Sequence, residues 1–175
     1  MIISMVSVIS VNGKTTNNYD SNIYKWTSKE DKSYFLKLKE SSTVLIMGRK
    51  TYDSVKSNIV LTQNTLRVVV TNNPNKFLDS CVLNQLEFTD NAPKDIIRNL
   101  ESRGHKKALL VGGSQIYTIF LKEKLVDKMI LTVEPKMFGE GHNLICDNFG
   151  INLQLTKIEQ INKQGTLLCF YDVVV

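Results

Sequence analysis

"KKALLVGGSQIYTIFLKEKLVDKMILTVEP", residues 106–135, holds one complete unit of a recognisable architecture. It opens on a nearly continuous apolar run, the pattern of a strand buried on both faces, and closes that run with Gly112-Gly113. "SQIYTIFLKEKL" then reads as a helix, and "VDKMILTVEP" returns as a second strand. The alternation recurs on either side. Upstream, "STVLIMG" is another short buried strand with "RKTYDSV" a short helix behind it. "NIVLT" and the strongly β-branched "LRVVVTNNP" follow as strands, the second stopped by Asn-Asn-Pro. A weak strand near "SCVLN" leads into a helix over "APKDIIRNLESRG", with Pro93 near its start and Gly104 at its end. "MIISMVSVISV" supplies the first strand, and "LQLTKIEQI", "NKQG" and "TLLCFYDVVV" read as strand, turn, strand. The expectation is a three-layer α/β fold of one domain over residues 1–175, with a mostly parallel central sheet and an antiparallel C-terminal hairpin.

Composition is that of an ordinary globular chain, 42% hydrophobic and 22% charged, and only nine Gly and three Pro argue against collagen-like and Pro-rich disordered classes. A net charge of +5 hints at anionic ligands, yet the lysines are scattered among acids and apolar residues and read mainly as solvated faces. No basic stripe interleaved with aromatics points to nucleic acid. Cys81, Cys146 and Cys169 lie far apart, the pattern of free and mostly buried thiols in a reducing compartment. His105 and His142 show no metal-ligand spacing. The apolar start is too short to span a bilayer, so a cytoplasmic location is expected.

One helix carries a residue out of place. In "TSKEDKSYFLKLKE", residues 27–40, Asp31, Tyr34, Phe35 and Leu38 fall at i, i+3, i+4 and i+7 on one stripe. Thr27-x-x-Glu30 and Ser28-x-x-Asp31 both have capping-box spacing, so either acid could close the helix start. Glu30 shares an outward row and serves as the expected cap, whereas Asp31 points with the apolar residues. An unpaired carboxylate in such a setting costs on the order of several kcal/mol, and residues held there tend to work with ligands.

Three strand ends also stand out. "VLIMG" runs through Gly48 into Arg49, Lys50 and Thr51, "LLVGG" through Gly112 and Gly113 into Ser114 and Gln115, and "RVVV" ends in Thr71, Asn72 and Asn73. Ligands of open α/β sheets gather beyond strand carboxyl ends, and glycine lets the backbone approach them. Neither GxGxxG nor GxxxxGK occurs. A carboxylate on an apolar wall near phosphate-friendly turns implies a nucleotide cofactor meeting a nitrogen heterocycle.

"VLIMGRKTYDSV", "RVVVTNNP" and "LLVGGSQIYTIFL", in that order, resemble the dihydrofolate reductase superfamily over nearly the whole chain. "SVISVNGK" and "LVDKMILTVEPKMFGEG" look like the riboflavin-pathway reductases, the C-terminal domain of the bifunctional deaminase-reductase. "GRKTYDS", Asp31 with Phe35 four residues on, and Leu131-Thr132 look like dihydrofolate reductase itself. The resemblance implies catalytic roles for Asp31 and Thr132, with Val8, Phe35 and Tyr117 against the substrate. It further implies NADPH held by Gly48, Arg49, Lys50, Thr51, Thr71, Asn72, Asn73, Gly112, Gly113, Ser114, Gln115, Ile116 and Tyr117. The chain lacks the Asp-Asp-Pro run usual in the riboflavin branch, has Asn12 where that branch has Asp, and keeps Trp26 without the Leu-Pro ahead of it seen in dihydrofolate reductases. The balance favours a dihydrofolate reductase narrowly over the riboflavin-precursor reductase, with a homodimer possible by analogy with the riboflavin branch.

Overall fold

The computed structural model describes residues 1–20 and 22–174. Eight strands form one sheet: β1 (Ile2–Ser10), β2 (Val44–Gly48), β3 (Leu66–Val70), β4 (Leu86–Thr89), β5 (Lys107–Leu110), β6 (Lys128–Glu134), β7 (Asn152–Gln160) and β8 (Leu167–Val174). Their spatial order is β4-β3-β2-β5-β1-β6-β8-β7. From β4 to β6 every neighbour is parallel, while β8 pairs antiparallel with both β6 and β7. Four α-helices, α1 (Lys29–Glu40), α2 (Arg49–Val55), α3 (Pro93–Ser102) and α4 (Ser114–Lys122), cover the two faces.

Alternation along the strands sorts side chains between two cores. On one face Phe35 and Leu38 of α1 and Tyr52 of α2 meet Val6, Leu45 and Val69. On the other, Ile96 and Leu100 of α3 and Ile116 and Phe120 of α4 meet Met5, Ile46 and Met129. The three-layer arrangement and the antiparallel hairpin therefore stand as expected. The chain lays β2, β3 and β4 outward from β1 and then returns to insert β5 between β2 and β1. That reversal puts the carboxyl ends of β3, β2, β5, β1 and β6 side by side, where a crevice for ligands belongs.

Two expected strands are corrected. "NIVLT" is irregular chain: residues 56–58 form a 3-10 turn, Thr62 and Thr65 make an isolated bridge, and the Val60 carbonyl accepts from the Arg67 guanidinium. Its apolar residues are anchors instead, since Ile59 and Leu61 pack against the core. "SCVLN" is a tight turn, with Val82 bridged to Leu86 and Asn84 in the left-handed region at φ +57°. The strand expected there begins only at Leu86. Of the cysteines, Cys169 alone is buried; Cys81 and Cys146 are exposed. No helix among the described residues is long and apolar enough to cross a membrane.

Candidate active site

Ser28 caps α1, its hydroxyl accepting the Asp31 N–H at 3.2 Å, but the reciprocal half of a capping box is absent among the described residues, because the Ser28 N–H donates to Glu134 instead of Asp31. Glu30 is not the cap; its carboxylate reaches out to the Asn162 amide of the β7–β8 turn at 3.3 Å. Asp31 turns inward and is 8% exposed, more deeply buried than Phe35 or Leu38 on its own stripe. Burial pushes its carboxyl up to about 6, the Thr132 hydroxyl pulls it down by favouring the charged form, Glu134 raises it and Lys32 lowers it. Thr132 is itself buried on β6, in register with Val8 of β1, which places both beside α1 on the same sheet face. Asp31, Thr132 and Val8 thus share one buried corner, with Phe35 one helical turn away and half-buried.

A second corner lies two strands over. The Gly48 N–H donates to the Gly112 carbonyl at 2.7 Å, so the two glycine turns read separately from the sequence meet in space. A Cβ on Gly48 would sit 2.8 Å from Ile116 Cγ1, and one on Gly113 3.3 Å from Thr51 Oγ1. Gly112 has φ +110°, a conformation that side chains resist, and the Gly112-Gly113 peptide is cis. Neither α2 nor α4 has a side-chain cap at its start, so the first N–H groups of both face this corner without an internal partner. Thr71, just past the register position of Gly48 on the neighbouring strand, is buried and accepts the Asn73 N–H at 3.4 Å; Asn72 and Asn73 are exposed. Ser114 donates to the Asn143 carbonyl at 2.5 Å, and exposed Gln115 follows it. A cavity of about 610 Å³ opens over the start of α4, lined by Tyr19, Ser114, His142 and Asn148 among others. The larger cavity, about 930 Å³, lies at the opposite, amino-terminal edge of the strands around Gln63, Asn84 and Lys107.

Three expected contacts are revised. Tyr117 is 3% exposed, its hydroxyl donates to the Val6 carbonyl at 2.6 Å, and burial holds its phenol far above the ordinary value. It props the Gly112 turn from beneath and presents no open face. Ile116 is likewise core, wedged against Gly48. The Arg49 guanidinium is taken by Asp53 one turn along α2, which leaves exposed Lys50 as the cation at that corner without an ion pair among the described residues.

The structure adds residues that the motifs did not single out. Glu134, 2% exposed at the end of β6, accepts the Ser28 N–H at the start of the helix that carries Asp31. Period two from Ile130 and Thr132 puts it on the same face, which is the signal that could have found it. Trp26 Nε1 and Thr27 Oγ1, on adjacent residues ahead of α1, are buried without hydrogen-bond partners among the described residues, and Trp26 packs edge-on against Phe138. Loops 12–18 and 140–143 are laced together by the Thr15 N–H to the His142 carbonyl and the Asn18 N–H to the Glu140 carbonyl.

A mostly parallel sheet with an antiparallel hairpin, glycine turns meeting across β2 and β5 and a buried carboxylate over β6 define a dihydrofolate reductase-like fold. The family model described as RibD C-terminal domain matches residues 2–167, and the chain belongs to that family. A putative riboflavin biosynthesis protein from Shewanella sp. PV-4 superposes with a TM-score of 0.79 at 22% identity, covering 100% of both chains. The Thermotoga maritima diaminohydroxyphosphoribosylaminopyrimidine deaminase/5-amino-6-(5-phosphoribosylamino)uracil reductase gives 0.75 at 16% identity, covering 99% of this chain and 56% of that one. Among curated proteins, uncharacterized protein YwjB of Bacillus subtilis (strain 168) is 29% identical over 102 residues, 55% of each chain. The dihydrofolate reductase of Pneumocystis carinii is 25% identical over 141 residues, 74% of this chain and 65% of that protein. The chain thus spans between about half and two thirds of these curated relatives. The family match reverses the narrow preference for dihydrofolate reductase drawn from Asp31 and Phe35.

Proposed function

We propose that the chain is an NADPH-dependent reductase of the riboflavin-biosynthesis type, acting on 5-amino-6-(5-phosphoribosylamino)uracil or a close pyrimidine. The observation that carries the riboflavin-type reading is the family match over residues 2–167, and the one that supports its chemistry is the buried Asp31 carboxyl, raised to about 6. Reducing a polar double bond adds hydride to carbon and a proton to the heteroatom. NADPH supplies the hydride when bound. Asp31 is buried and its carboxyl, raised to about 6, exchanges a proton just below neutral pH, and so can accept or donate hydrogen bonds to a nitrogen-rich ring. The uncapped start of α4, the Gly48–Gly112 contact and Thr51 fit a pyrophosphate, which needs close backbone approach and free N–H donors. Lys50 and the Thr71–Asn73 turn fit the 2′-phosphate side.

A second reading, reduction of dihydrofolate, draws on the Asp31–Thr132 pair and the Pneumocystis carinii similarity. Loss of NADPH absorbance with each substrate in turn separates the two. If neither consumes NADPH while circular dichroism shows an intact fold, both are wrong, and a nucleotide-binding relative without turnover takes their place. We assign the reaction to the cytoplasm, where the free thiols would stay reduced, and we assign the working form as a homodimer.

A further inference from the structure

Glu134 takes no part in the chemistry above, yet its carboxylate is buried at the carboxyl end of β6. Oε1 accepts the Ser28 N–H at 2.6 Å, and Oε2 accepts the Thr166 hydroxyl at 2.8 Å. Thr166 is fully buried, and its hydroxyl also accepts from the Asn162 amide at 2.8 Å. Asn162 donates to Glu30 as well, while Ser28 accepts the Asp31 N–H. One side chain therefore ties the end of β6 to the cap of α1 and to the β7–β8 turn. Both of its oxygens act as acceptors, which is the work of a carboxylate and not of a carboxylic acid.

We propose that Glu134 is a positioning residue for Asp31: bonded to the Ser28 N–H and the Thr166 hydroxyl, it fixes the first turn of α1 and sets a like charge behind the Asp31 carboxyl. The use of the Asp31 proton in turnover rests on the reductase reading; the coupling of the two carboxyls does not. Charged neighbours are few. Glu134 faces Asp31 from β6, and Lys32 acts on it from α1 itself with the opposite sign. Thr132 on β6, Val8 and Ser10 at the facing register positions of β1, and Thr166 from the hairpin do not titrate in this range. Glu30 approaches from the far side through Asn162. Like charge opposes ionisation of Asp31, so removing it should make Asp31 more acidic.

The test is a carboxyl carbon-13 NMR titration of the free protein, with no substrate or cofactor. In the wild type, the Glu134 carboxyl resonance is expected to move at the Asp31 midpoint, because the two charges sense each other. In Glu134→Gln the Asp31 midpoint is expected to fall, and the pH–rate profile for NADPH oxidation to shift acidward by the same amount. A Glu134 resonance that stays still through the Asp31 step overturns the proposal, and that measurement needs no variant to fold. So does a folded Glu134→Gln protein whose Asp31 midpoint matches the wild type, which would leave Glu134 a clamp alone. Absence of turnover with a normal shift would instead count against the reductase reading and leave the coupling standing.

Discussion

Asp31 is costly to ionise where it sits, buried at the start of α1. Its carboxyl holds a proton more tightly in the folded chain, about 6 against an ordinary 3.8. Between those values the folded state binds more protons than the unfolded one, so the stabilisation is fully present below about pH 4 and is lost as pH rises through about 6. The full loss is on the order of 3 kcal/mol. Asp31→Asn cannot ionise, so urea denaturation should find it more stable than wild type at pH 8 by up to about that amount, with the difference closing at pH 4. The same variant should lose most of its turnover while binding NADPH normally by fluorescence titration. Equal loss of both would make Asp31 a structural cap. The inward turn of Asp31 was readable because its i+3 and i+4 partners are apolar. Glu134 was not picked out, because an acid before a proline at a strand end ordinarily marks the exit to solvent, which outweighs its period-two placement; its bonds to Ser28 and Thr166 show that it stays inside.

The local elements owe their positions to short-range signals of unequal strength. Gly48, Gly112 and Gly113 were visible as corners, since each ends a buried apolar run. That two of them touch is a matter of strand order, which inserts β5 beside β2 and has no local signature. The α3 boundaries were legible from Pro93 and Gly104 for the same local reason. The site of β4 was not: Val82 and Leu83 are more β-prone than Glu87, yet a left-handed Asn84 turn takes them out of the sheet. Gly48→Ala tests how tight the glycine corner is. Its Cβ would meet Ile116 Cγ1 at 2.8 Å inside a packed core, so a loss of about 1–3 kcal/mol and weaker NADPH binding are expected. Gly139→Ala, with nothing within 4 Å, is the control and should leave the denaturation midpoint unchanged. Lys50→Ala tests the cation left by the Arg49–Asp53 pair: affinity for NADPH should fall about tenfold, with NADH unaffected. Equal weakening of both would move the 2′-phosphate elsewhere.

At the scale of the whole molecule, the sheet is covered by helices over its centre and left bare at one margin. β8 continues the core row of β6, because Cys169 lies opposite Leu131 and shares a face with Tyr171 and Val173. β7 extends the same row: Leu153 pairs with Val173, Leu155 with Tyr171 and, across a bulge, Ile158 with Cys169. Strict alternation would have put Ile158 on the opposite face from Leu155; the extra residue of the bulge brings it back. All nine residues of β7 are nevertheless exposed, so this apolar row ends in water. Lys157 and Glu159 alternate with it onto the other face and guard that side, as charges on edge strands do. An apolar row that prolongs the core, with charge confined to the reverse side, fits a second copy of the same chain. Sedimentation velocity should therefore find a dimer whose dissociation is little affected by salt, because the row that would make the contact is apolar. Leu155→Lys with Ile158→Lys should give a monomer with unchanged circular dichroism, since neither side chain supports the fold. A wild-type chain that stays monomeric at high micromolar concentration would refute the dimer and leave the bare row as an aggregation hazard of the hairpin.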